Sequence, residues 1–290
     1  MMLAGRDLTI LSLLKVFRGR IALTWALTLG EAVLTTLIPL FIGFAIDGLL
    51  GGSIHELWFL AGVLAALIAL GVLRRLYDTR AYGTIRVELG EAQAARSASL
   101  PVSALNARLD MGRELVDFLE ETLPSAMASG VQFAVSALVL FAFAPQLAMA
   151  SLIAAFGMAA VYALFHRRFF RLNGQLNQQT ERQVNVLEKR FQKATLAHLQ
   201  RLRRFEVQLS DAEAVLYGAV FAILLTLILF NLWFAAAVMA VTAGAIFSIV
   251  AYSWDFAEAA LSLPVTLQTW SRLSEITSRL NRETAPSSSP

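Results

Sequence analysis

The stretch TLPSAMASGVQFAVSALVLFAFAPQLAMASLIAAFGMAAVYALF, residues 122–165, runs for 44 residues without a charged side chain. An α-helix rises about 1.5 Å per residue and the hydrocarbon core of a bilayer is about 30 Å thick, so about 20 apolar residues make one crossing. This stretch is long enough for two, and Pro145 in "APQ" (144–146) falls at its middle, where a helix cannot continue through it. It reads as two spans joined by a tight turn.

The same reading extends to both sides. Ile21 to Ile46 is apolar apart from Glu31, Leu57 to Leu73 carries no charge, and Ala214 to Trp254 is charge-free over 41 residues. The last of these predicts a second hairpin, with its turn near "NLW" (231–233). The total is six spans. The composition agrees: 57% of residues are hydrophobic and 16% charged, against about 25% charged in soluble domains. The fold class is therefore all-α integral membrane, and little of the 290 residues remains for a soluble catalytic domain.

Lys and Arg collect on the cytoplasmic side of a membrane protein. The predicted outer loops, 47–56, 144–146 and 231–234, contain neither, and all 24 basic residues fall on the opposite side. Both termini and the two long inner excursions, 74–121 and 166–213, are thus expected in the cytoplasm of a multi-pass inner-membrane protein. Topology and attraction to anionic lipid account for the basic balance, so nucleic acid is not an expected partner. Residues 1–20, with LTILSLLKVFRGR at 8–20, read as an interfacial elbow helix, 21–282 as the transmembrane unit, and 283–290, ETAPSSSP, as a disordered tail.

Both excursions read as helical. Val184, Leu187, Phe191, Ala194, His198, Leu202, Phe205 and Leu209 recur at gaps of three or four, an amphipathic stripe that carries the spans past the membrane as extensions. Short helices at 99–110 and 191–200 are expected to lie across the tips.

The order of four segments resembles the membrane domain of ABC exporters. IPLFIGFAIDGLL (38–50), with Pro39, Gly43 and Asp47, is similar to that family's first-helix ending, and SLPVSALNARLDMGRELVDFLEE (99–121), with Gly112, to its first coupling-helix region. NVLEKRFQKATLAHLQ (185–200), with Glu188, resembles the second coupling region, and SRLSEITSRL (271–280) the exit toward a nucleotide-binding domain. The sequence departs from the family in having no Gly between Lys189 and Lys193. The resemblance implies a homodimer or paired half-transporter that contacts an ATP-binding subunit through Leu100, Pro101, Leu105, Glu188, Phe191 and Leu196. A P-loop requires G-x-x-x-x-G-K-[ST], and the chain has no Gly-Lys pair. ATP and Mg enter only through a partner, and no cofactor is expected in this chain.

Chemistry within the spans is confined to carboxylates. Glu31 lies eleven residues beyond Arg20, and Asp255 and Glu258 share a helix face three residues apart. No Lys or Arg sits at that depth in any span, so these acids are not expected to be paired by charge and are read as neutral, hydrated in a cavity, or meeting a cation. They are the candidates for a substrate or ion pathway. The glycines after Pro39 are expected to loosen the end of span 1. His55, His166 and His198 have no ligand spacing, the chain has no Cys, and no nucleophile and base arrangement emerges, so neither a metal site nor an enzyme is expected. Three readings follow: an ABC-type transport subunit first, a proton-coupled permease on the same fold second, and a non-transporting membrane scaffold third.

Overall fold

The computed structural model describes residues 10–96, 102–188 and 191–282, with the side chains of the last helix described as far as Ser262. Among the described residues all regular structure is helical: α1 (Ile10–Val16), α2 (Arg18–Leu50), α3 (His55–Arg96), α4 (Val102–Asp117), α5 (Leu123–Phe143), α6 (Pro145–Glu181), α7 (Gln183–Glu188), α8 (Gln192–Trp233) and α9 (Ala243–Arg282). Two π-helical stretches, Phe118–Thr122 and Phe234–Met239, lead into α5 and out of α8. Pro145 behaves as its position demands. Ala144 before it is extended and Pro145 opens α6, where its missing N–H would have had no helical partner.

Among the described residues five helices are long and apolar enough to cross a membrane: Arg18–Leu50, His55–Ala95, Gly112–Phe143, Pro145–Glu188 and Gln192–Met239. α9, expected as a sixth, is not among them. α3 and α8 have 42 residues each, about twice the length that a hydrocarbon core of about 30 Å can hold. The most apolar window of α3 contains no buried residue, so side chains such as Ile68 and Val72 face outward. That is disfavoured in water and ordinary against lipid.

α2 is the hub of the bundle and packs on α3, α5 and α9, while α6 packs on α8. One core gathers Leu13 of α1, Phe17 and Ile21, then Tyr82, Ile85 and Leu89 of α3 and Leu115 of α4. There the Tyr82 hydroxyl donates to the Leu119 carbonyl at 2.9 Å, tying α3 to the π-helical stretch, and the fully buried Leu13 packs α1 into the same core. A second core joins Leu140, Leu147, Ala235, Ile249, Tyr252 and Phe256, with the Phe133 and Phe256 rings stacked 4.5 Å apart.

α2 and α9 meet along a close seam. A Cβ on Gly43 would lie 2.6 Å from the Gly244 carbonyl oxygen, so only glycine permits this approach. Pro39 removes a helical hydrogen bond from α2, and near it α9 supplies two to α2 carbonyls: Tyr252 Oη to Thr36 O at 2.8 Å and Ser248 Oγ to Pro39 O at 3.0 Å. Asp47 closes the seam by accepting from the Gly244 N–H at 2.8 Å and the Thr242 hydroxyl at 2.5 Å. It caps α9 from a neighbouring helix and places negative charge at a helix N-terminus. Of the glycines expected to loosen the end of span 1, Gly43 is used for close packing instead, while Gly51 and Gly52 form the turn that ends the helix. α2 itself runs unbroken to Leu50.

Two further expectations are corrected. The turn expected at 231–233 lies at 240–242, where Ala240 adopts a left-handed conformation with φ 48°. Asn231 reads as a loop residue in sequence, yet it is fully buried and its amide donates to Ser253 Oγ at 2.7 Å, so the helix continues through it. Residues 191–200 are not a separate short helix either. Phe191 is extended and Gln192 begins the 42-residue α8, whereas the short helix is α7. The stripe is broken there, and His198 turns inward, its Nδ1 2.7 Å from the Gln179 amide nitrogen of α6.

Candidate functional site

α2, α3, α5 and α9 surround a cavity of about 650 Å³. α2 contributes Thr28, Glu31, Thr35 and Thr36, and α3 contributes Arg74, Arg75 and Asp78. Glu120 and Glu121 come from the π-helical stretch, Ser125 and Gln132 from α5, and Asp255 from α9. The cavity collects polar residues from all four helices. A bundle in lipid turns its ionisable groups toward its interior in this way.

Glu31 is paired, contrary to the expectation from sequence. Its carboxylate accepts from Arg74 Nε, and Arg74 Nη1 also lies 3.6 Å from Asp78 Oδ2. The side chains of Glu31 and Arg74 are 27% and 29% exposed, so the pair is shielded without being sealed. Depth counted along α2 alone could not show this. Arg74 ends the apolar run of the antiparallel neighbour α3 and brings its long side chain back along it.

A second network lies at the rim. Arg86 of α3 donates to Asp117 Oδ1 at 2.7 Å and to Glu120 Oε2, tying α3 to the residues that precede α5. Asp78, only 5% exposed, has an unpartnered oxygen, Oδ1. Asp255 stands half-buried in the wall with no ion pair among the described residues. Glu258 is exposed one turn further along α9 and does not line the cavity. The structure thus brings together Glu31 and Asp255 and leaves Glu258 aside. Arg74, Asp78 and Glu120 were missed because they fall in the first inner excursion, where charge is expected from solvation alone; the spacing of Arg74 and Asp78 by four on a helix was the available signal.

Of the residues expected to meet a partner, Leu100 and Pro101 lie outside the described residues. Leu105 is half-buried in α4, Glu188 is exposed at the end of α7, and Leu196 is exposed in α8. Phe191, an apolar ring just before α8, is 72% exposed. Among the described residues no three His, Asp or Glu side chains converge closely enough to hold a metal ion.

The sequence family described as an ABC transporter transmembrane region matches residues 10–244, from α1 to the start of α9. Asp255 lies beyond that match. No curated protein matches the chain.

Proposed function

Because the chain belongs to the family of ABC transporter transmembrane regions, we propose that it is the membrane-spanning subunit of an ABC-type transporter that moves a substrate across the cytoplasmic membrane. ATP is bound by a separate subunit. α9 serves as the sixth span, the excursions at 74–121 and 166–213 project into the cytoplasm, and two copies or two related chains pair to enclose the path. The observation that carries this reading is the polar cavity within a bundle whose outer surface is apolar. Glu31, held by Arg74, and Asp255 belong to the path. The exposed Phe191 and Leu196 suit contact with the ATP-binding subunit.

Asp255 favours a second reading, a proton-coupled permease, because a carboxylate without an ion pair in such a cavity can carry a proton. A scaffold would leave the cavity without a role.

The two driving forces separate in one labelling experiment, which the absence of native Cys makes simple. Ser125→Cys places a thiol on the exposed cavity wall. In inside-out vesicles from the native membrane, its reaction with a membrane-impermeant thiol reagent is expected to slow severalfold when a non-hydrolysable ATP analogue is added. Nucleotide closure shifts the population away from the inward-open state. A rate indifferent to nucleotide that follows an imposed pH gradient would replace the leading reading with the second.

A further inference from the structure

We infer that Tyr82 of α3 is a positioning residue that holds Phe118–Thr122 in its π-helical register, and that this stretch is a register switch in the cavity wall; its bearing on transport rests on the reading of the cavity as the path. The Leu123 N–H bonds the Phe118 carbonyl, five residues back, where an α-helix would use the Leu119 carbonyl. In the same register the Leu119 carbonyl looks to the N–H of residue 124. That residue is Pro124, which has none.

The missing donor comes from another helix. Tyr82 Oη donates to the Leu119 carbonyl oxygen at 2.9 Å, and both residues are fully buried, so water does not take the place of the hydroxyl. A buried acceptor without a donor is destabilising, and the π register is therefore tenable only while Tyr82 stays in place. In the α register the Leu119 carbonyl would take the Leu123 N–H and need no side chain. Arg86, four residues along α3 from Tyr82, holds Asp117 and Glu120 and keeps the stretch against α3.

The register matters to the cavity because Glu120, Glu121, Pro124, Ser125, Ala128 and Gln132 all line it and lie in or just after the stretch. A change from π to α turns the helix before the stretch by about 100° against the helix after it, the rotation of one α-helical residue. α4 packs on α3, whereas α5 packs on α2 and α9. The turn would therefore move the α5 wall of the cavity against the α3 wall. Single π-helical turns inside α-helices are rare and are frequent at functional sites.

The absence of native Cys allows spin labels at Arg113→Cys on α4 and Gly130→Cys on α5, two exposed positions on either side of the stretch. In the purified full chain in detergent, without nucleotide, pulsed electron resonance is expected to give one dominant distance. Tyr82→Phe keeps the ring and removes only the hydroxyl. It should populate a second distance, shifting the ratio of the two by about 5-fold or more, the effect of leaving one buried acceptor without its donor. Pro124→Ala restores a backbone donor and should populate the second distance by itself, since the α register then lacks no bond. Adding Tyr82→Phe to Pro124→Ala should shift the ratio much less, because the restored N–H can serve the Leu119 carbonyl. A hydroxyl that only packs would give the same shift in both backgrounds. An unchanged distance in Tyr82→Phe, or equal shifts with and without Pro124→Ala, would overturn the inference. Should Tyr82→Phe fail to fold, an unchanged distance in Pro124→Ala overturns it alone. No nucleotide or partner enters this measurement. A negative result therefore leaves the transporter reading intact, and absence of an ATP-binding partner leaves the register switch intact.

Discussion

Gly244→Ala is expected to lower the thermal unfolding midpoint of the purified chain by about 5 °C or more, and Gly43→Ala to act in the same direction, because each puts a methyl group into backbone of the facing helix. At Gly43 the new Cβ would lie 2.6 Å from the Gly244 carbonyl oxygen, and at Gly244 it would overlap the Gly43 carbonyl oxygen. The Ser248 hydroxyl and the Asp47 carboxylate also stand in the way and could rotate aside, but the two carbonyl oxygens are backbone and cannot. α2 and α9 must move apart, and that movement also stretches the Asp47 cap on Gly244 and the bonds from Ser248 and Tyr252 to α2. Overpacking alone costs about 1–3 kcal/mol, and lost hydrogen bonds add to it. Gly130→Ala and Gly218→Ala are the controls. A Cβ there meets nothing within 4 Å, so helix propensity should leave stability unchanged or raised by up to about 1 kcal/mol. Equal melting of the seam and control variants, followed by circular dichroism in detergent, would show that α2 and α9 are not in this contact.

The second large effect concerns the Glu31–Arg74 pair. Arg74→Ala leaves Glu31 and Asp78 in the cavity wall without their shared cation, and is expected to destabilise the chain by about 1–3 kcal/mol. Removal of one partner of a fully buried pair costs about 3–5 kcal/mol, and the smaller figure allows for the residual exposure of these two side chains. Combining Arg74→Ala with Glu31→Gln should recover part of the loss, since the neutral amide no longer needs the guanidinium. A double-mutant cycle from chemical unfolding reads the coupling. Additive effects of the two changes would mean that the side chains do not interact.

The fold was legible in sequence where the signal is local. Charge-free runs of sufficient length gave the class and most of the crossings, and Pro145 gave the tight turn because a proline's effect on its own helix depends on nothing distant. The turn after α8 was misplaced because Asn231 carries the same local signal whether it faces solvent or, as here, a serine on the next helix. The site divides in the same way. Glu31 and Asp255 stood out as acids within apolar runs, and the structure places both on one cavity. Their partners were invisible, since pairing with Arg74 depends on the register between α2 and α3, which spacing along either helix leaves open. Asp47 shows this most clearly. It was recognisable as part of a segment similar to a family ending, whereas its work is to cap a helix almost two hundred residues later. Asp78 and Glu120 sit among residues read as solvated cytoplasmic charge and acquire meaning only from the helices folded around them.

The central claim is that this chain is the membrane part of an ATP-driven transporter, and its most direct test is purification of the tagged full chain from its native membrane in mild detergent. The preparation is expected to contain a P-loop protein in stoichiometric amount and to hydrolyse Mg-ATP, with both the association and the hydrolysis reduced when the exposed Phe191 and Leu196 are replaced by Asp. A chain that purifies without any ATP-binding protein, hydrolyses no ATP and still drives solute uptake in proteoliposomes under an imposed pH gradient would contradict it.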